Sequence, residues 1–153
     1  MSVRALIMRA MSEHYEIVLS CFLRSEVPES VLAACRWHLG MTSDYPEDLD
    51  EDEHPWPLFL TYPGSRLPGG DSAALRRSES MEDERGHPMW ELFARNYWVD
   101  DNLLMLDALL ALVSPHIAVP GYAGYLRHEH DTEPTVFVFR EGGYVQVPLG
   151  RVG

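Results

Sequence analysis

Gly121–Pro148 reads GYAGYLRHEHDTEPTVFVFREGGYVQVP, and its composition predicts three consecutive antiparallel strands. Tyr122–Glu129 is aromatic and poor in turn formers, and Asp131-Thr132-Glu133-Pro134 breaks it. Thr135–Arg140 (TVFVFR) is β-branched and aromatic throughout, which suits a pleated surface. Glu141-Gly142-Gly143 supplies the positive φ of a tight hairpin, and Tyr144–Val147 runs back. Side chains alternate between faces along a strand. One face of Thr135–Arg140 therefore carries Phe137 and Phe139, and the other carries Val136 and Val138. Both are apolar. Helices account for cover on one face; the other calls for a partner subunit, a ligand or a long loop.

Working outward, the 153 residues suit one domain with a proper core, and 46% hydrophobic residues place the chain outside the disordered class. No apolar run approaches the ~20 residues of a membrane-spanning helix. Arg4 precedes only Ala5–Met8 before Arg9 interrupts, too short for a secretory core, so a cytoplasmic location is expected. Met8 and Met11 are alternative starts, and the residues before Ser12 read as an N-terminal arm. The net charge of −12 repels phosphate backbones, which argues against nucleic-acid binding and permits a basic partner or a cation. Cys21 and Cys35 form no zinc or redox spacing and are expected to be reduced and buried.

Nearer the N-terminus, His14–Arg24 (HYEIVLSCFLR) predicts the first strand. Tyr15, Ile17, Leu19, Cys21 and Leu23 make one apolar face; Glu16, Val18, Ser20, Phe22 and Arg24 make a mixed one. Pro28 and Glu29 open a helix that runs to about Leu39, with Gly40 as its terminator. Val31, Leu32, Cys35 and Leu39 form its buried stripe. Residues 41–88 read as a long acidic insert rich in Pro and Gly. Asp44–Glu53 holds seven carboxylates. Trp56–Tyr62 (WPLFLTY) predicts an edge strand, and Ser65–Gly86 a mobile loop. Trp90–Val99 predicts another strand, with a helical reading of Pro88–Ala94 as the alternative. Asp100 or Asp101 then caps a helix over Asn102–Val113 that is apolar nearly all round and so buried on more than one side.

The element order predicts an α+β domain: an antiparallel or mixed sheet of about five strands with two helices on one face. A ferredoxin-like arrangement with an added C-terminal strand fits best. A charged strand, a short helix, a long acidic insert and a late Gly-Tyr strand also resemble small bacterial proteins in a general way. That resemblance implies no activity and transfers no residue.

Catalytic and cofactor motifs are missing from the sequence. Gly64–Gly70 (GSRLPGG) lacks the Lys-Ser/Thr pair of a phosphate loop. Asp48, Asp50 and Asp52 alternate like calcium ligands, but Glu53 and Phe59 stand where the glycine and the last glutamate belong. His128 and His130 flank Glu129 on a predicted strand and, with Asp131 or His116, form a candidate metal site. No cofactor is expected. The broader constellation is the mixed sheet face, where Tyr125, Arg127 and Glu129 would join Phe22, Arg95 and Phe139. Aromatics interleaved with charges suit a subunit interface or a small-molecule cleft. The expected function is therefore non-enzymatic binding of another macromolecule, in an accessory, regulatory or immunity-type role, by a homodimer. The alternative is a ligand-binding or enzymatic domain with this face as its pocket.

Overall fold

The computed structural model describes residues 13–149 of the chain; the N-terminal arm and the alternative starts lie outside them. Six strands make one sheet: β1 (His14–Leu23), β2 (Ser72–Glu82), β3 (Pro88–Val99), β4 (Gly121–His128), β5 (Thr135–Arg140) and β6 (Gly143–Pro148). Their order is β2-β3-β1-β4-β5-β6, and every pairing is antiparallel. Helix α1 (Glu29–His38) follows β1, and α2 (Leu106–Val113) separates β3 from β4. Among the described residues no helix is long and apolar enough to cross a membrane.

The α+β class, the antiparallel sheet and the C-terminal meander agree with the sequence reading, but among the described residues the strands number six rather than about five. The additional one is β2, within the stretch expected to be a mobile loop. Its sequence, SAALRRSESME, buries only Leu75 and Ser78. Its local signal is weak, and pairing with β3 makes it a strand. Conversely, Trp56–Tyr62 is not a strand. Pro57 interrupts it, and Pro55 precedes it. Two of its carbonyls instead accept bonds from β3 side chains: Trp98 Nε1 donates to Leu58 O at 2.7 Å, and Asn96 Nδ2 to Leu60 O at 2.7 Å.

Helix α1 starts after Pro28, whose φ of −57° is preset for a helix entrance, and ends before Gly40 at φ 75°. The second helix departs from expectation at its start. Residues Asp100–Met105 form a 3-10 turn with no side-chain cap, and α-helix begins only at Leu106.

One core lies on a single side of the sheet. Ile17, Leu19 and Leu23 of β1, Leu92, Ala94 and Trp98 of β3, and Phe137 and Phe139 of β5 meet Val31, Leu32 and Cys35 of α1 and Leu106, Leu109, Leu110 and Val113 of α2. The long loop joins this side as well. Leu58 and Phe59 are buried, and Phe59 stacks on Trp98 with ring centres 5.6 Å apart.

Strand β4 approaches β1 closely through Gly124, beside a bulge between Tyr122 and Gly124. The residue has φ 133°, and a Cβ there would come within 1.9 Å of the Val18 carbonyl oxygen. Only glycine fits.

Candidate functional site

The register decides which side chains share the sheet face opposite the helices. Glu16 lies between Tyr97 on β3 and Arg127 on β4; Val18 lies between Arg95 and Tyr125. These are the even-numbered β1 positions, on the side away from the core. Glu16, 7% exposed, sits at the centre. Arg95 Nε contacts its Oε2 at 3.0 Å, and Arg127 Nη2 its Oε1 at 3.3 Å. Burial would raise the Glu16 pKa, but hydrogen bonds from Tyr125, Arg95 and Arg127 outweigh it and hold the carboxyl below its usual range. Tyr125 moves the other way: burial, together with its bond to Glu16, raises its phenol.

Arg95 and Arg127 are engaged on their other nitrogens too. Arg95 Nη1 donates to the carbonyls of Pro68 and Gly70 at 2.6 and 3.2 Å. Arg127 Nη1 donates to the Asp131 carbonyl at 2.8 Å. Glu129 closes the end of the cluster: Tyr97 donates its hydroxyl to Oε1 at 3.1 Å, and the His14 amide donates to Oε2 at 3.2 Å. The rings of His14 and Tyr97 stack at 4.8 Å.

Of the six residues read from the sequence as ligand or interface candidates, the structure thus gathers Arg95, Tyr125, Arg127 and Glu129. Phe22 shares their face, but six residues along β1 from Glu16, roughly 20 Å at strand rise. Phe139 does not share it. At 1% exposure it is a core residue, since it pairs with Gly121 in the register that turns Phe137 inward. Glu16, Tyr97 and His14 were missed. Alternation puts Glu16 on the mixed face, but its role as the shared carboxylate depends on cross-strand register.

His128 ends β4, and His130 lies in the turn beyond it, with ring centres 5.3 Å apart. The His130 amide donates to His128 Nδ1 at 3.2 Å, so that nitrogen is already occupied. Among the described residues, no three His, Cys, Asp or Glu side chains are grouped to hold a metal ion. Nor are the thiols activated: burial pushes Cys35 up to about 12 and Cys21 well above its usual value.

Beyond the charged cluster the same face turns apolar. Tyr125 pairs with Val136, Val136 with Val147, Tyr122 with Val138, and Val138 with Val145. Val136, Val138 and Val145 are half-buried, while Tyr122 and Val147 are exposed. These six side chains form one block across β4, β5 and the edge strand β6. The long loop, which could have covered it, lies on the helix side instead, apart from residues 66–70, where Arg66 lies beside Tyr97 and the Pro68 and Gly70 carbonyls meet Arg95.

Comparison with protein-family models, with curated proteins and with solved structures finds no match to the chain. The geometry alone bears on function.

Proposed function

We propose that the chain is a small cytoplasmic, non-enzymatic protein that dimerises through its open sheet face and acts by binding another macromolecule, in an accessory, regulatory or immunity-type role. We read the order β2-β3-β1-β4, with α1 and α2 between their strands, as a ferredoxin-like arrangement extended by β5 and β6. The observation that carries the dimer is the block of Tyr122, Tyr125, Val136, Val138, Val145 and Val147 on the face without helices. Contiguous apolar surface of this kind is characteristic of interaction sites. The neighbouring charges support binding over chemistry, because Glu16, Arg95 and Arg127 are engaged with one another and with backbone carbonyls.

Sedimentation equilibrium at micromolar concentration tests the dimer. The wild type is expected to sediment as a dimer and Val138→Asp as a folded monomer. A monomeric wild type refutes it.

The alternative, a small-molecule pocket on this face, rests on the convergence of Arg95, Arg127 and Tyr125 about Glu16. It requires Arg127→Ala and Glu129→Ala to abolish binding of some member of a metabolite panel. No change with either variant removes it.

A further inference from the structure

On the helix side, at the β6 end of the sheet, a groove opens between the acidic loop and the segment leading into α2. Its floor is Met105, Ala108 and Ala111. Trp56 and Leu104 wall it, 41% and 84% exposed, and Leu104 is the most exposed large hydrophobic residue among those described. Trp56 Nε1 donates to Asn102 Oδ1 at 2.8 Å, which ties the indole to the 3-10 turn bearing Leu104. That turn explains the exposure: it delivers Met105 and Leu106 to the core and leaves Leu104 outside.

The rim is acidic. Asp52, Glu53 and Asp107 line the groove. Asp107 is fixed by the Tyr144 hydroxyl, which donates to its Oδ1 at 2.7 Å. Among the described residues none of the three makes an ion pair. Residues 39–65 and 96–126, the two stretches that build the groove around Tyr144, contain neither Lys nor Arg. Of their histidines, buried His54 is held neutral by a pKa lowered by burial. An apolar trough flanked by three carboxylates selects a cation-flanked apolar ligand: desolvated anchors supply the affinity, and rim charges supply steering and choice of partner.

We propose that this groove docks a basic amphipathic segment of a partner protein, with apolar side chains seated on Trp56 and Leu104 and Lys or Arg facing Asp52 and Glu53. This deepens the reading of the chain as a binding protein by naming the partner's chemistry. It does not need the dimer, because the groove and the apolar block lie on opposite sides of the sheet.

The full chain contains no lysine, which makes a direct test available. Carbodiimide joins activated carboxylates to amines, so in a mixture with a helical Leu/Lys peptide nearly every cross-link reports a protein carboxylate beside a peptide lysine. The links are expected at Asp52 and Glu53, with a shift in tryptophan emission on binding. Leu104→Asp, and separately the double variant Asp52→Asn/Glu53→Gln, are each expected to weaken binding by roughly tenfold or more. Glu79→Gln/Glu84→Gln, which removes the same charge at exposed positions on and beyond β2, leaves it unchanged. Oligolysine of equal charge binds at least about tenfold more weakly, because it lacks the apolar anchors.

No binding overturns the proposal. Equal losses from the two charge-removing variants reduce it to unspecific attraction by an acidic protein, and links scattered along the chain do the same. A change in sedimentation of the isolated chain with Leu104→Asp would mean that a second copy occupies the groove, which also overturns it. A monomeric wild type that still binds the peptide at the groove sinks the dimer and leaves this inference standing.

Discussion

His38 Nε2 and His54 Nδ1 lie 3.0 Å apart in the interior, joining α1 to the acidic loop. The tautomers follow from the donors. The Leu58 amide donates to His38 Nδ1 at 3.1 Å, so that nitrogen is unprotonated, and Nε2–H must donate to His54. A proton added to either accepting nitrogen would break a bond in a buried site. Burial first, and the neighbouring ring second, bring His38 down to about 3; burial also lowers His54. A histidine whose folded value lies below its unfolded value leaves the unfolded chain binding more protons. The stability from this pair is therefore complete above about pH 6.5. It is lost as pH falls from there toward 3, at roughly 1.4 kcal/mol per pH unit for a single group. Urea midpoints at pH 7.5, 6.5 and 5.5 are expected to fall in that order. A midpoint constant over that range contradicts the assignment.

Gly124→Ala is expected to be among the most damaging single substitutions. The new Cβ would overlap the Val18 carbonyl oxygen, and φ 133° disfavours any side chain. Both partners are backbone of adjacent central strands, so neither can turn aside. A loss on the order of 3 kcal/mol or more follows, or failure to fold. Gly64→Ala, with open space around it and no positive φ, is the control and should change the thermal midpoint little.

What the sequence disclosed, and what it withheld, follows from where the information lies. The TVFVFR strand, the β1 alternation and the Pro28-to-Gly40 helix are local signals, each carried by residues within one or two turns of one another. Strand β2 is not local: Ala, Ser, Arg and Glu have little preference for extended chain, and Ser72–Arg77 is held by pairing with Arg95–Trp90. Within the loop 41–71, Trp56–Tyr62 was misread as an edge strand because the loop's anchors, Trp98, Asn96 and His38, are supplied by β3 and α1. In the candidate site, alternation placed Tyr125 and Arg127 on one face. Only cross-strand register could bring Arg95 beside Val18 and place Glu16 between two arginines. The same dependence misplaced Phe139, which was assigned to the face that Val136 and Val138 in fact occupy.

Phe59→Ala tests whether the loop is an integral part of the core. The ring is 2% exposed and stacked on Trp98, and the Phe59 amide donates to the His38 carbonyl at 2.8 Å. Removing it leaves a cavity that the flanking prolines hinder from collapsing. The expected cost is about 3–5 kcal/mol, as for other buried Phe→Ala changes, together with faster proteolysis within 41–71. Loss below about 1 kcal/mol would show that the loop is dispensable to the fold.

Glu16→Ala removes the carboxylate and leaves Arg95 and Arg127 facing each other across β1. Their side chains are 24% and 31% exposed, so water shields them only in part. The expected destabilisation is roughly 3 kcal/mol, in the range for breaking a largely buried ion pair from one side. Glu16→Gln keeps an acceptor oxygen and should cost less. Glu29→Ala, which breaks the exposed pair with Arg36, should cost under about 1 kcal/mol. The sign with pH is fixed as well. The Glu16 value lies below its unfolded one, so its contribution is complete above the unfolded value of 4.5 and is lost as pH falls through the lower folded one. Wild type and Glu16→Gln should therefore converge in stability toward acid. If their urea midpoints stay parallel from pH 7 to pH 3, the carboxylate is not what holds the two arginines in place.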